Sequence, residues 1–108
     1  MLLNDSVMEA ALLRIAETDS HAAELHVATE ARKAQADETH EAIFLREEGS
    51  VAERKAKASN STEYKKAMND YFEALLAWEK LKNERTRKYA VIECWRSWSS
   101  ARTKGIIT

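Results

Sequence analysis

Residues that break helices are nearly absent from this sequence. It contains no proline, and its two glycines stand at positions 49 and 105. In a helix interior proline costs about 3 kcal/mol and glycine about 1 kcal/mol relative to alanine, so the placement of these residues limits where helices can end. No residue forces a helix to stop between Asn4 and Glu48, or again between Thr62 and Gly105. The sequence therefore predicts two long helices of similar length.

Capping signals set the predicted boundaries. The polar residues at 4–6 offer N-caps for the first helix. Gly49 suits the left-handed position directly after a helix, and Ser50 with Glu53 matches the S-x-x-E capping box of a short helix. The run Ser-Asn-Ser-Thr at 59–62 favours a new helix start. The predicted elements are an arm over 6–48, a bend helix over 50–58, a second arm over 62–103 and a short tail over 104–108.

Length and charge both favour antiparallel pairing of the two arms. Residues 1–48 hold four cationic and eleven acidic side chains, a net charge of −7, whereas residues 63–108 hold ten cations and six acids, a net charge of +4. Opposite charges select which surfaces face each other, although salt screens the attraction. We predict an all-α chain that forms one helical domain over 1–108, a long antiparallel helical hairpin with a short helix at the bend.

The second arm carries a strong apolar stripe. Large apolar residues recur in steps of three and four from 64 to 78 and from 89 to 95, with Lys82 and Arg85 between the two groups. We expect the stripe to be buried within the chain and partly against other subunits. The predicted core and oligomer residues are Tyr71, Leu75, Trp78, Tyr89, Ile92 and Trp95.

The first arm offers a thinner face. Its seven-residue series is mostly small and consists of Ile15, Ala22, Thr29, Ala36 and Ile43. Small residues let helices approach closely but bury little apolar surface, which contributes about 25 cal/mol per Å². A lone two-helix hairpin of this composition is marginal, so we predict a homo-oligomer.

Signals for catalysis or metal binding are weak. The three histidines are five and fourteen residues apart, which excludes the i, i+4 histidine pair of a helical metal site. Glu17, His21 and Glu24 share a helix face, but a metal site there needs a further ligand from the other arm, and a solvated pair is the simpler interpretation. The single cysteine, Cys94, is expected to be a small core residue rather than a nucleophile. We predict no enzymatic activity, no metal and no cofactor.

Export and membrane signals are equally weak. The first residues, MLLNDSVMEAALLRIAETDS, lack both a basic segment and an unbroken apolar segment. Apolar runs elsewhere are only a few residues long, against the roughly 20 that span a bilayer. We expect a cytoplasmic protein without a membrane partner.

The segment from Lys80 onward combines cations with tryptophan. It holds eight cations and two acids, a net charge of +6. Single-stranded nucleic acid is bound by cations that track the phosphates and by aromatic rings that stack on the bases. In the alternative interpretation Trp95 continues the core face and Trp98 packs at a subunit interface. The cations then pair with the acidic side chains of the first arm. The candidate nucleic-acid-binding residues are Lys80, Arg85, Arg87, Lys88, Arg96, Trp98, Arg102 and Lys104.

Two stretches carry a resemblance to known proteins. GSVAERKAKASNSTEY, and ERTRKYAVIECWRSWSSARTKG after it, resemble small helical proteins that phages encode beside their recombination genes, and more loosely the UvsY-like recombination mediators. The shared features over about residues 49–106 are a final helix with aromatic and small residues and a basic R-x-x-G tail, here 102–105. The resemblance implies a homo-oligomeric accessory factor in the host cytoplasm that binds single-stranded DNA and helps to load a recombinase or a single-strand annealing protein.

Two functional hypotheses follow. The first is a non-enzymatic accessory protein of phage recombination or replication that binds single-stranded DNA through its basic, Trp-containing C-terminal region. The second is a protein-interaction module, such as a phage inhibitor or adaptor, whose acidic first helix docks on a basic host protein surface.

Overall fold

The computed structural model describes residues 4–105, and these residues form three helices and no strand. Helix α1 spans Asp5–Arg46, α2 spans Val51–Asn60 and α3 spans Thr62–Thr103. The structure confirms the all-α hairpin with a short helix at the bend, and every helix end lies within two residues of its predicted position. Of the predicted tail, residues 106–108 lie outside the described part of the chain.

The contacts group the chain into two compact units. One contains the chain up to Ala22 together with the chain from Lys80 onward, and the other spans Ala23–Glu79. Each unit contains a stretch of α1 and a stretch of α3, because both long helices pass from one unit to the other. Because the contacts form two groups, the assignment of residues 1–108 to a single domain stays a prediction.

Side-chain caps hold the helix ends. The amide of Val7 donates to the Asn4 side-chain oxygen at 2.9 Å, which satisfies a free N–H in the first turn of α1. At the start of α2 the amide of Glu53 donates to Ser50 Oγ at 3.2 Å, and that hydroxyl lies 3.2 Å from the Glu53 carboxylate. Ser50 therefore caps α2 as predicted, and the Glu53 carboxylate accepts from its hydroxyl.

The connection between α1 and α2 differs in one detail from the sequence prediction. Gly49 has a positive φ of 118°, but α1 ends at Arg46, so Gly49 lies inside the connection instead of directly after the helix. The Nζ of Lys57 donates to the carbonyl of Glu48 at 2.9 Å. This bond satisfies one backbone carbonyl of the connection.

A single serine joins α2 to α3. Ser61 Oγ donates to the Ala58 carbonyl at 2.7 Å at the end of α2 and accepts from the Tyr64 amide at 3.2 Å at the start of α3. One hydroxyl thus caps both helices, so no longer linker is needed.

Small residues form the seam between α1 and α3 in the unit of residues 23–79. Thr29 and Ala36 are buried, and the Thr29 hydroxyl lies 2.7 Å from the Leu25 carbonyl of its own helix and 3.2 Å from the Ala74 carbonyl of α3. The second distance requires close approach of the helices, which small side chains permit. The His26 and Trp78 rings are also in contact, with centroids 5.0 Å apart. Higher α1 numbers meet lower α3 numbers, so the pairing is antiparallel.

Helix α2 packs on the end of α1 in the same unit. The Arg54 guanidinium lies 4.1 Å from the centre of the Phe44 ring, and its Nε donates to the Phe44 carbonyl at 3.0 Å. Ser59 Oγ lies 3.0 Å from His40 Nε2, and Ala58 is fully buried. These contacts fix the bend helix against α1.

The burial of the predicted core residues of α3 is uneven. Ile92 is buried, whereas the other predicted core residues except Tyr89 are partly exposed. Tyr89 is 50% exposed and does not belong to the core of the single chain. Leu81 is buried instead. The side of α3 that faces α1 contains positions 81, 85, 88 and 92, which follow in steps of three and four, and position 89 does not lie on that side. Contact of Tyr89 with another subunit stays a prediction.

Candidate nucleic-acid interface

All eight candidate residues lie in the unit that pairs the chain from Lys80 onward with the chain up to Ala22, but Arg85 is engaged inside it. Its Nη1 donates to the Ile15 carbonyl at 2.9 Å and to Thr18 Oγ1 at 2.7 Å, and its Nη2 lies 3.3 Å from the Asp19 carboxylate. Only 13% of the Arg85 side chain is exposed. The prediction that Arg85 contacts phosphate does not fit this geometry, because its guanidinium joins α3 to α1.

An ion pair next to Arg85 makes a second connection between the two helices. The Arg14 guanidinium binds the Glu84 carboxylate through two nitrogens, one of them at 3.1 Å. These hydrogen bonds, helped by the nearby positive charges, lower the pKa of Glu84, and the same contact raises the pKa of Arg14. The Glu84 carboxylate therefore stays ionised to lower pH than a free glutamate, and this preserves its ion pair with Arg14.

Trp95 also makes a contact within the chain. Its indole Nε1 donates to the Asp5 carboxylate at 3.0 Å, at the first turn of α1. The ring is partly buried, which agrees with the interpretation of Trp95 as a residue of the seam. Its indole N–H is already used, so we do not include Trp95 among the nucleic-acid-binding residues.

Four of the candidate residues share one face of α3. Lys80, Arg87, Trp98 and Arg102 follow in steps of seven, eleven and four residues, which places them within about 60° of one another around a helix. The three cations are exposed and Trp98 is partly exposed. The Arg102 guanidinium lies 5.3 Å from the Trp98 ring centre, within cation–π distance. We name these four residues the basic face.

The remaining candidates lie elsewhere on the helix. Arg96 is nine residues beyond Arg87, which places it about 180° away, and it forms an ion pair with Glu93 at 2.7 Å. Lys88 lies on the seam side and is partly buried, and Lys104 is about 200° from Arg102. The eight predicted residues therefore do not form one continuous site.

Other reactive residues do not form a site in the described part of the chain. Among residues 4–105, no three His, Cys, Asp or Glu side chains come close enough to hold a metal ion, and this includes Glu17, His21 and Glu24. Cys94 is exposed, so its assignment to the core is wrong. Position 94 lies about 200° around the helix from the buried Ile92 and therefore points away from α1.

Comparison with known proteins supplies no relative. The chain matches no protein-family model, no curated protein and no solved structure. Within residues 4–105, none of the helices has the length and apolar character needed to cross a membrane.

Proposed function

We propose that this protein is a non-enzymatic accessory factor of phage-type recombination or replication, which self-associates and binds single-stranded DNA through the basic face of α3. Its action in the host cytoplasm is to hold single strands for a recombinase or an annealing protein. The observation that carries the proposal is the alignment of Lys80, Arg87, Trp98 and Arg102 on one exposed side of a continuous helix.

The spacing of the basic face fits an extended strand. From Lys80 to Arg102 the helix rises about 33 Å at 1.5 Å per residue, enough to follow several nucleotides. Cations at both ends and about one third of the way along bind phosphates without regard to sequence, which is the usual mode of single-strand binding.

Trp98 supplies the aromatic element of this face. A partly exposed indole next to an arginine offers a stacking surface for a base, worth about 1–3 kcal/mol per base. The Arg102 guanidinium lies 5.3 Å from the ring centre and supplies a positive charge that can attract a phosphate next to the stacked base.

Salt-dependent binding to a labelled oligothymidine, followed by fluorescence anisotropy, tests the proposal. Each lost phosphate contact lowers the salt slope by about 0.7 for a single strand, so the triple variant K80A/R87A/R102A is expected to lower it by about 2. The matched control K55A/R96A/K104A removes the same charge from exposed positions outside the basic face and is expected to keep the parental slope. Equal slopes for the two triple variants refute the assignment of the basic face.

Trp98→Ala separates stacking from charge. It is expected to weaken binding by about 1–3 kcal/mol with the salt slope unchanged, because stacking releases no counterions. A change in slope without a loss of affinity contradicts the role given to this ring.

The second candidate function is a protein-interaction module. Val27 and Leu45 are each 66% exposed on the acidic helix α1, which gives that helix apolar contact points among its carboxylates. A surface of another protein that carries both basic and apolar side chains is complementary to this face of α1. This function takes the place of the first if the parent protein shows no affinity for single strands even at low salt.

A further inference from the structure

Helix α3 carries an exposed apolar stripe in the unit of residues 23–79. Phe72 is 53% exposed and Leu76 is 56% exposed, and Met68 and Leu75 beside them are only partly buried. The four residues lie within about 60° of Phe72 around the helix and form one patch. α1 leaves this patch accessible to solvent, since its seam with α3 runs through Thr29 and Ala74.

Charged residues bracket the patch symmetrically. Lys65 stands seven residues before Phe72 and Glu79 stands seven residues after it, and both lie on the same side of the helix as Phe72. Met68 and Leu76 are likewise placed four residues before and four after. A two-fold axis through Phe72 therefore places Met68 of one helix opposite Leu76 of an antiparallel copy, and Lys65 opposite Glu79.

We propose that a second copy of this chain docks on the Phe72 stripe, defined as Lys65, Met68, Phe72, Leu75, Leu76 and Glu79, through an antiparallel, two-fold symmetric pairing of the α3 helices. The proposal rests on the self-association included in the proposed function and names its surface, register and symmetry. An isologous contact needs a self-complementary patch, and the order of cation, apolar centre and anion along the stripe meets that condition. Opposite charges at both ends favour the antiparallel register over a parallel one, which places Lys65 against Lys65 and Glu79 against Glu79.

The register makes a charge-exchange test possible. In the paired state K65E sets one carboxylate against Glu79 at each of the two ends, and E79K sets one ammonium group against Lys65 at each end. Each single change alters both ends of the symmetric contact, so each is expected to raise the dimer dissociation constant about tenfold. The double variant K65E/E79K restores opposite charges and is expected to regain the parental constant. An equimolar mixture of the two single variants is expected to form a heterodimer.

The apolar centre is tested with a matched pair of variants. Phe72→Glu places two carboxylates on the two-fold axis and is expected to give the mass of one chain. Val27→Glu introduces the same carboxylate at a more exposed apolar residue of the same unit, on α1. This variant is expected to keep the mass of the parent. Circular dichroism at 222 nm confirms that both variants stay helical, which their exposed positions favour.

Light scattering and sedimentation equilibrium give these masses, with twice the chain mass expected for the parent. A parent that is monomeric at every concentration overturns both this pairing and the proposed self-association. A dimeric parent that Phe72→Glu leaves intact, or a double variant as weak as the singles, overturns the pairing alone. Neither outcome affects the salt slope of the basic face, so failure of the DNA-binding assignment remains a separate result.

Discussion

Replacement of Arg85 by methionine tests the connection between α1 and α3 most directly. Methionine keeps an unbranched apolar stem and a good helix propensity, so the change removes chiefly the guanidinium. That group makes two short hydrogen bonds, to the Ile15 carbonyl and to Thr18 Oγ1, from a side chain that is only 13% exposed. A hydrogen bond to a charged group contributes about 1.5–3 kcal/mol. With both bonds taken near the lower end, we expect a loss of about 3 kcal/mol in the free energy of unfolding.

Urea unfolding followed at 222 nm measures this loss. At a slope of about 1.5 kcal/mol per molar urea, the midpoint is expected to fall by about 2 M. The control is Asp19→Asn, which removes the negative charge of the third partner of Arg85. Because the Asp19 side chain is 80% exposed, that change is expected to cost less than about 0.5 kcal/mol.

The same Arg85 variant separates the structural role from a DNA-binding role. A guanidinium held by α1 is not available to phosphate, so Arg85→Met is expected to keep the parental salt slope for single-strand binding. A decrease of about 0.7 in that slope with an unchanged urea midpoint refutes the role assigned here and supports the interpretation of Arg85 as a phosphate contact.

Three further predictions concern packing, the connection at Gly49 and pH. Ala58→Leu overfills a fully buried site and is expected to lower the free energy of unfolding by about 1–3 kcal/mol, whereas Ala16→Leu at an exposed site is expected to change it little in the same urea assay. Gly49→Ala is expected to cost about 1–2 kcal/mol, because φ is 118° and the added Cβ meets Glu53 Oε2 at 2.7 Å; an unchanged midpoint contradicts that strain. The lowered pKa of Glu84 contributes stability above the unfolded pKa of about 4.3 that is lost as pH falls through the folded value, so Glu84→Gln is expected to reduce the acid sensitivity of the thermal midpoint, and an unaltered pH profile contradicts this.

The helix boundaries were predictable because their signals are local. The Ser50–Glu53 box and the polar run around Ser61 act within three or four residues, and the sequence shows them directly. The seam of α1 followed from a seven-residue repeat of small side chains, and Ala22, Thr29, Ala36 and Ile43 are indeed buried.

The role of Arg85 was not predictable from the sequence. Its partners Ile15 and Thr18 are about 70 positions away, and an arginine among other cations gives no sign of which one turns inward. Position 89 posed a similar difficulty, since steps of three and four from the earlier stripe reach both Leu81 and Tyr89. Only the packing of α1 against α3 decides between these two side chains.

Because Ser61 caps both α2 and α3, the number of residues at this junction determines which side chains of α3 face α1. α2 ends directly before this residue and α3 begins directly after it, so there is no flexible linker that could accommodate an inserted residue. One additional residue inside α3 just after this cap turns every later side chain by about 100° and shifts it by about 1.5 Å. Ala74 then leaves the Thr29 hydroxyl, and Glu73 with its longer side chain takes the place of Ala74. We therefore expect sequence changes at this joint to preserve residue number even where residue identity varies, so that the bend sets the helical register of the hairpin.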